Sequence, residues 1–341
     1  MNMMDTTQTP GFRADRAARR LRIYGTLGPA CADENILAAM LRAGMTGLRL
    51  NLSHTTLEEA RGLLAAYHRA GAACGLSPEL LIDMQGPELR IGALPAPLRL
   101  EVGALAPALP FPPAVAEAIS AAPAGQELLL DDGKLLLQKE GDGALRVRRG
   151  GLLTGRKSVA LPGLRIESPA LTQTDLQNLA RAAECGVTAV MQPFVRGPGD
   201  LKALRQALDR AGCGKLRVLA KVENAEGVRA LETLIPCCDE IVIARGDLGN
   251  AVPLWELPGL QKRIAAACRR AGRDFMVVTQ MLDSMTHRPV PTRAELSDVF
   301  NAVLDGAASV MVTGETASGD YPVEVIRYLV NTVREAEKYL Q

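Results

Sequence analysis

A lysine and a glutamate two residues apart, Lys221 and Glu223, close the apolar run RVLAKV (217–222), and Asp247 follows the next such run. Alternate side chains of an extended strand share a face, so Lys221 and Glu223 point to the same side. Two carboxylates on neighbouring strands are hard oxygen ligands suited to Mg²⁺ (or Mn²⁺), leaving further positions for water and phosphate oxygens. Arg49, at the end of an earlier run, adds a second cation. A divalent metal flanked by lysine and arginine can hold a phosphoryl group and neutralise its developing charge. Two plainer readings stand beside this one. Lys221 and Glu223 could form an ion pair inside a barrel, and the GDLGN turn (246–250), whose N–H groups could ring an anion, is a weak signal alone.

Such residues need a scaffold that gathers strand ends. Eight apolar runs occur in order, at 21–26, 46–51, 79–84, 187–192, 217–222, 239–244, 274–279 and 308–313. Between most of them lie amphipathic stretches, including 56–74, 172–185, 197–212, 225–236, 257–272 and 292–306, with a last one at 321–339. Buried parallel strands read as continuous apolar runs, and each crossover is usually a helix. Eight such units predict an α/β fold, a TIM (β/α)₈ barrel, over a doubly wound open sheet with the same alternation. In that barrel the C-terminal strand ends converge on one site. Polar residues cluster there: Thr26, Arg49, Asn51 with Ser53 and His54, Asp83, Lys221 with Glu223, Asp247, Thr279, and Thr313 with Glu315. The expectation is a polar group at every one of the eight ends.

About a hundred residues separate the third run from the fourth. Residues 92–162 begin Pro-rich (GALPAPLRL, PALPFPPAV) and continue as short strand-like runs broken at DDG and GDG. They read as a small β-rich lid domain inserted after the third strand, where loops surround the site. The expected organisation is an N-terminal segment (1–19), a barrel (20–91 and 163–341) and the lid (92–162).

Bulk properties agree. The 341 residues are 48% hydrophobic and 23% charged, with net charge +1, which gives no sign of nucleic acid or an anionic membrane as partner. Only 3% is aromatic, which favours helix-layered α/β architecture over an all-β fold. The seven cysteines lack metal spacing, and adjacent Cys237 and Cys238 fit the end of a helix in a reduced, cytoplasmic protein. No leader-like apolar segment opens the chain, and no run is long enough to span a membrane.

Several longer motifs resemble the pyruvate kinase family: TLGPA (26–30), GLRLNLSH (47–54), DMQGPELRIG (83–92), AKVENAEGV (220–228), ARGDLGNAVP (244–253) and the stretch 279–325. The resemblance covers roughly residues 20–340. It implies phosphoryl transfer from phosphoenolpyruvate to ADP, giving pyruvate and ATP in glycolysis. By its pattern Lys221 contacts the transferring phosphoryl group and balances the enolate, Arg49 grips phosphate, and Glu223 and Asp247 bind Mg²⁺. Thr279, with the backbone of Gly246 and Asp247, would take the substrate carboxylate, and Thr313 would stand near the water that delivers the proton. Asn51, Ser53, Asp83 and the Met84 carbonyl match the monovalent-cation site, and Glu88 points to K⁺. Thr26, Pro29, His54, Arg90 and Lys157 fall where the nucleotide binds.

Three departures from the family pattern matter. Gln85 replaces a lysine, the lid is shorter than usual, and the expectation at Gln341 is that the family's C-terminal regulatory domain is absent. Self-association, if any, would run through barrel helices. Two other functions compete: a metal-dependent lyase or aldolase working through a pyruvate enolate, and a non-catalytic paralogue of the kinase.

Overall fold

The apolar runs are strands. A computed structural model describes residues 21–340 except 132, 165 and 167; the expected N-terminal segment 1–19 lies outside the described residues. First come β1 (Arg22–Thr26), β2 (Gly47–Asn51) and β3 (Glu79–Asp83). The inserted segment holds β4 (Leu98–Leu100), β5 (Glu127–Leu130), β6 (Leu135–Lys139), β7 (Leu145–Arg149), β8 (Gly151–Leu153) and β9 (Val159–Ala160). After it follow β10 (Ala189–Gln192), β11 (Arg217–Val222), β12 (Glu240–Ala244), β13 (Asp274–Val278) and β14 (Ser309–Met311). The first three strands and the last five close into a parallel barrel, in the order β1-β14-β13-β12-β11-β10-β3-β2. This is the (β/α)₈ fold expected from the sequence.

The crossover helices are Glu34–Ala43, Arg61–Ala73, Gln173–Arg181, Pro198–Arg210, Leu257–Arg270, Arg293–Leu304 and Pro322–Glu337. The first lay outside the stretches picked by periodicity, yet its caps are plain. Asp33 accepts from Asn35 N at 2.8 Å, and Gly44 takes φ +114° as the left-handed stop. The stretch 225–236 is not one helix but Ala225–Arg229, Leu231–Leu234 and a 3₁₀ turn, Ile235–Cys237. Pro236, in that turn, has no N–H to continue the α-helical ladder.

Alternation along the strands divides the barrel interior into three levels. The middle is apolar: Tyr24, Leu81, Leu219, Val242, Met276 and Met311 belong to one buried cluster, distinct from the larger one between strands and helices. Gly47 is paired with Tyr24, and a Cβ there would sit 2.5 Å from the ring, so glycine makes room for the aromatic. Two residues earlier on these strands the inward positions are polar and form a floor. Fully buried Glu240 accepts from Arg22 at 3.0 Å and Arg217 at 2.6 Å, and from the Ser309 hydroxyl. Arg217 also reaches Glu79 at 2.9 Å, and Tyr24 donates its hydroxyl to the same carboxylate. Two residues later, at the upper level, stand Asp83 and Lys221.

The insertion has its own core, with Leu100, Val115, Leu128, Leu130, Leu137, Val147 and Leu153 buried together. One sheet has the order β7-β6-β5-β9, and β4 pairs with β8. Its Pro-rich part contains a helix, Pro113–Ala121, which the sequence reading missed; proline in the first turn is compatible with a helix start. The two chain crossings to the barrel lie side by side. Arg90 bridges Ser158, and Ile91 N donates to Lys157 O at 2.9 Å.

The floor yields a test. Removing Glu240 takes one of two carboxylate partners from each arginine, leaving Arg22 with Asp274 and Arg217 with Glu79, a loss of about 1.5–3 kcal/mol. Glu240→Ala should lower the urea midpoint accordingly, while turnover per folded molecule, measured at the opposite end of the barrel, stays near that of the parent.

Candidate active site at the barrel mouth

At the C-terminal ends of β2, β3 and β11, four of the expected residues meet. Asp83 Oδ2 accepts from Arg49 Nε at 3.0 Å, from Arg49 Nη2 at 2.6 Å and from Lys221 Nζ at 3.2 Å. Lys221 Nζ also lies 2.7 Å from Glu223 Oε1. Glu223 Oε2 in turn accepts from Phe194 N at 2.7 Å, and Phe194 itself sits at φ +51°. The ion pair between Lys221 and Glu223, the plainer of the two readings, is thus present in the structure.

The electrostatics are those of a compact buried charge cluster. Burial alone would depress the Lys221 pKa, but Asp83 and Glu223 outweigh it and keep the ammonium charged. Burial alone would raise Asp83; Lys221 and Arg49 reverse that and hold it ionised, below the usual carboxylate range. Glu223 is pushed up to about 7, chiefly by burial and further by Asp247 and Asp83, with Lys221 opposing. Asp247 thus lies close enough to be felt by both Lys221 and Glu223.

One buried carboxylate oxygen, Asp83 Oδ1, has no hydrogen-bond partner and so suits a cation. Glu223 Oε1 already has the Lys221 ammonium 2.7 Å away. Among the described residues no cluster of three or more metal-ligating side chains occurs. Two neighbouring carboxylates, Glu223 and Asp247, could serve an ion such as Mg²⁺ that keeps several waters or substrate oxygens.

The other expected residues are placed as follows. Thr279, one residue past β13, adopts φ +78°, and its methyl lies 3.1 Å from where a Cβ on Gly246 would be. Gly246 and Asp247 are in the first turn of a helix, Arg245–Ala251, rather than a Gly-rich turn. Thr313 donates its N–H to Glu315 at 2.6 Å and its hydroxyl to the same oxygen at 3.2 Å. Asn51 Oδ1 accepts from Ser53 N at 3.1 Å, and Met84 is buried, its N–H on Met191 O. Pro29 and His54 are exposed. Thr26 is buried, and its hydroxyl donates to Val312 O at 2.9 Å, so the structure commits it to the β1–β14 seam. Glu88 accepts from Arg90 at 2.7 Å, and Lys157 pairs with Asp131 of the insertion at 2.7 Å.

The expectation of a polar group at every strand end fails at β10. Ala189 and Met191 face inward, so Gln192 alternates to the outer side and is buried there. A residue the sequence reading passed over is Asp175. It accepts from Gln85 N at 2.8 Å and Gly86 N at 3.0 Å, fixing the loop that leads to the insertion. Its signal was the Thr172–Asp175 capping box. Gln85, where the family pattern has lysine, turns its side chain toward the Thr172 hydroxyl at 3.4 Å.

Fold and site together define a (β/α)₈-barrel enzyme that gathers cations and carboxylates at its C-terminal mouth. The family model "Pyruvate kinase, barrel domain" matches residues 18–104 and 114–326. Pyruvate kinase of Mycobacterium intracellulare is 37% identical over 337 residues, spanning 94% of this chain and 71% of that protein. Pyruvate kinase PKLR of Homo sapiens is 37% identical, over 94% of this chain and 60% of its own length. The enzyme of Methylorubrum extorquens is 35% identical, over 95% and 70%. The chain belongs to the pyruvate kinase family.

Glu223 gives the site a pH signature. Its folded-state pKa of about 7 lies above the ordinary glutamate value. Between ~4.3 and 7 the folded protein therefore holds a proton that the unfolded chain has released, so stability falls as pH rises through that window. Urea unfolding of metal-free protein should show stability falling across it. Glu223→Gln should flatten that slope.

Proposed function

We propose that the chain transfers the phosphoryl group of phosphoenolpyruvate to ADP, giving pyruvate and ATP, with Mg²⁺ and K⁺ as cofactors. The observation that carries this reading is the buried cluster of Arg49, Asp83, Lys221 and Glu223 beside Asp247. Lys221 and Arg49 supply two fixed positive charges, both held by Asp83, so neither needs to be gathered when the substrate arrives. Glu223 and Asp247 would hold the divalent ion, which when bound supplies positive charge to phosphate and substrate oxygens. Asp83 Oδ1, with Asn51, Ser53 and the Met84 carbonyl, would hold K⁺, and Glu88 would favour it.

The protein's own groups account for the remaining steps. Thr279 and the first-turn N–H groups of Gly246 and Asp247 would orient the substrate carboxylate. Lys221 would balance the enolate oxygen left as the phosphoryl group departs, and Thr313 would position the water that protonates carbon. Arg90 and Lys157, with Pro29 and His54, would face the nucleotide; Thr26 would act through the loop it anchors. The insertion would close over the mouth and exclude water, which would otherwise take the phosphoryl group. The three relatives are all pyruvate kinases by name, which favours this reaction over a lyase on the same site. Among the described residues no helix is long and apolar enough to cross a membrane, in keeping with a cytoplasmic enzyme.

The direct test is pyruvate formation from phosphoenolpyruvate and ADP with Mg²⁺, with and without K⁺; absence of turnover at saturation would sink the proposal. Lys221→Met should lose about 10³-fold or more in kcat while phosphoenolpyruvate still binds. Glu88→Lys should reduce the requirement for K⁺, and unchanged K⁺ dependence would count against the cation-site assignment.

A further inference from the structure

Thr279 and Gln280 are consecutive non-glycine residues in the left-handed region, at φ +78° and +54°. For a β-branched residue this conformation is an outlier; each strained residue costs on the order of 1–3 kcal/mol and persists only where its surroundings enforce it. The enforcing group is Arg245. Its Nε and Nη2 donate to Thr279 O at 3.0 and 2.7 Å, and Nη2 also reaches Gln280 O at 3.2 Å. Its Nη1 donates to Asp298 Oδ2 at 2.6 Å. The guanidinium is a planar fork, and here its prongs are divided between two carbonyls and one carboxylate.

Asp298 is itself well anchored. It lies on helix Arg293–Leu304, one turn beyond Glu295, which accepts from Ser284 N at 2.7 Å and Ser284 Oγ at 2.6 Å. One face of that helix therefore holds both the loop after β13 and Arg245. Arg245 directly precedes Gly246 and Asp247, and the Thr279 side chain packs over Gly246. The clamp thus ties the end of β12 to the end of β13.

We propose that Arg245, held by Asp298, is a positioning residue: it fixes the left-handed Thr279–Gln280 backbone and so sets the Thr279 hydroxyl relative to Gly246 and Asp247. This rests on the reading of Thr279 as a carboxylate-binding group, but its structural half can be tested separately. Lysine keeps the charge of Arg245 but cannot serve three acceptors in one plane.

The experiment compares parent, Arg245→Lys, Asp298→Asn, Thr279→Ala and the Arg245→Lys/Thr279→Ala double variant. Arg245→Lys should lower kcat/KM for phosphoenolpyruvate by about 10–100-fold while the KM for ADP stays within about twofold. Asp298→Asn should show a smaller loss in the same parameter. The double variant should be no worse than Thr279→Ala alone, since both changes act through one hydroxyl. Additive losses, or equal losses for both substrates, would overturn the proposal. A crystal structure of Arg245→Lys, or of Asp298→Asn should the lysine variant not fold, reads the backbone without any assay. Relaxation of Thr279 or Gln280 to negative φ supports the clamp; unchanged positive φ at both overturns it. If the parent does not turn over phosphoenolpyruvate, the functional reading fails while the crystal structure still decides the clamp.

Discussion

The barrel mouth is organised by one carboxylate, Asp83, whose Oδ2 receives both Arg49 and Lys221. Two like charges buried this close repel strongly in a medium of low dielectric, and an uncompensated buried charge is expensive. Asp83 lets both cations stand at the same end of the barrel, ionised and in place. Glu223 can then sit against Lys221 at 2.7 Å while its other oxygen is fixed by a backbone N–H. Removing Asp83 would leave Arg49 and Lys221 to seek other partners, so the placement of both cations depends on a residue whose expected role was only to hold a monovalent ion.

The same logic runs along β3 and β11, whereas β12 and β13 stay apolar at the upper level with Ala244 and Val278. Inward positions two residues apart change from charged to apolar to charged along a strand, as in Glu79, Leu81 and Asp83, or Arg217, Leu219 and Lys221. The apolar level separates two ionic networks with different tasks. The lower one pairs Glu240 and Glu79 with Arg22 and Arg217 and contributes stability. The upper one leaves Asp83 Oδ1 without a hydrogen bond and so keeps capacity for a ligand.

The strands and most helices were legible because buried parallel strands are apolar on both faces and surface helices are periodic. The upper site was legible because polar residues at strand ends contradict that apolar rule. The floor was not, since Arg22, Glu79 and Asp274 begin their strands and look like ordinary loop-edge charges. Helix Pro113–Ala121 was hidden by its prolines, and helix Arg245–Ala251 by its glycines and short length. Thr279 was named, but its left-handed backbone and the Arg245–Asp298 pair across 53 residues are tertiary facts without a local signal.

The floor also governs traffic. With Glu240 and Glu79 tied to two arginines and Tyr24 filling the space above them, the barrel is a cup with a sealed base. The charged upper level of Asp83 and Lys221 is then approached from the C-terminal side of the strands. Whatever binds there must leave by the way it came, because the polar floor and the Tyr24 ring close the other end.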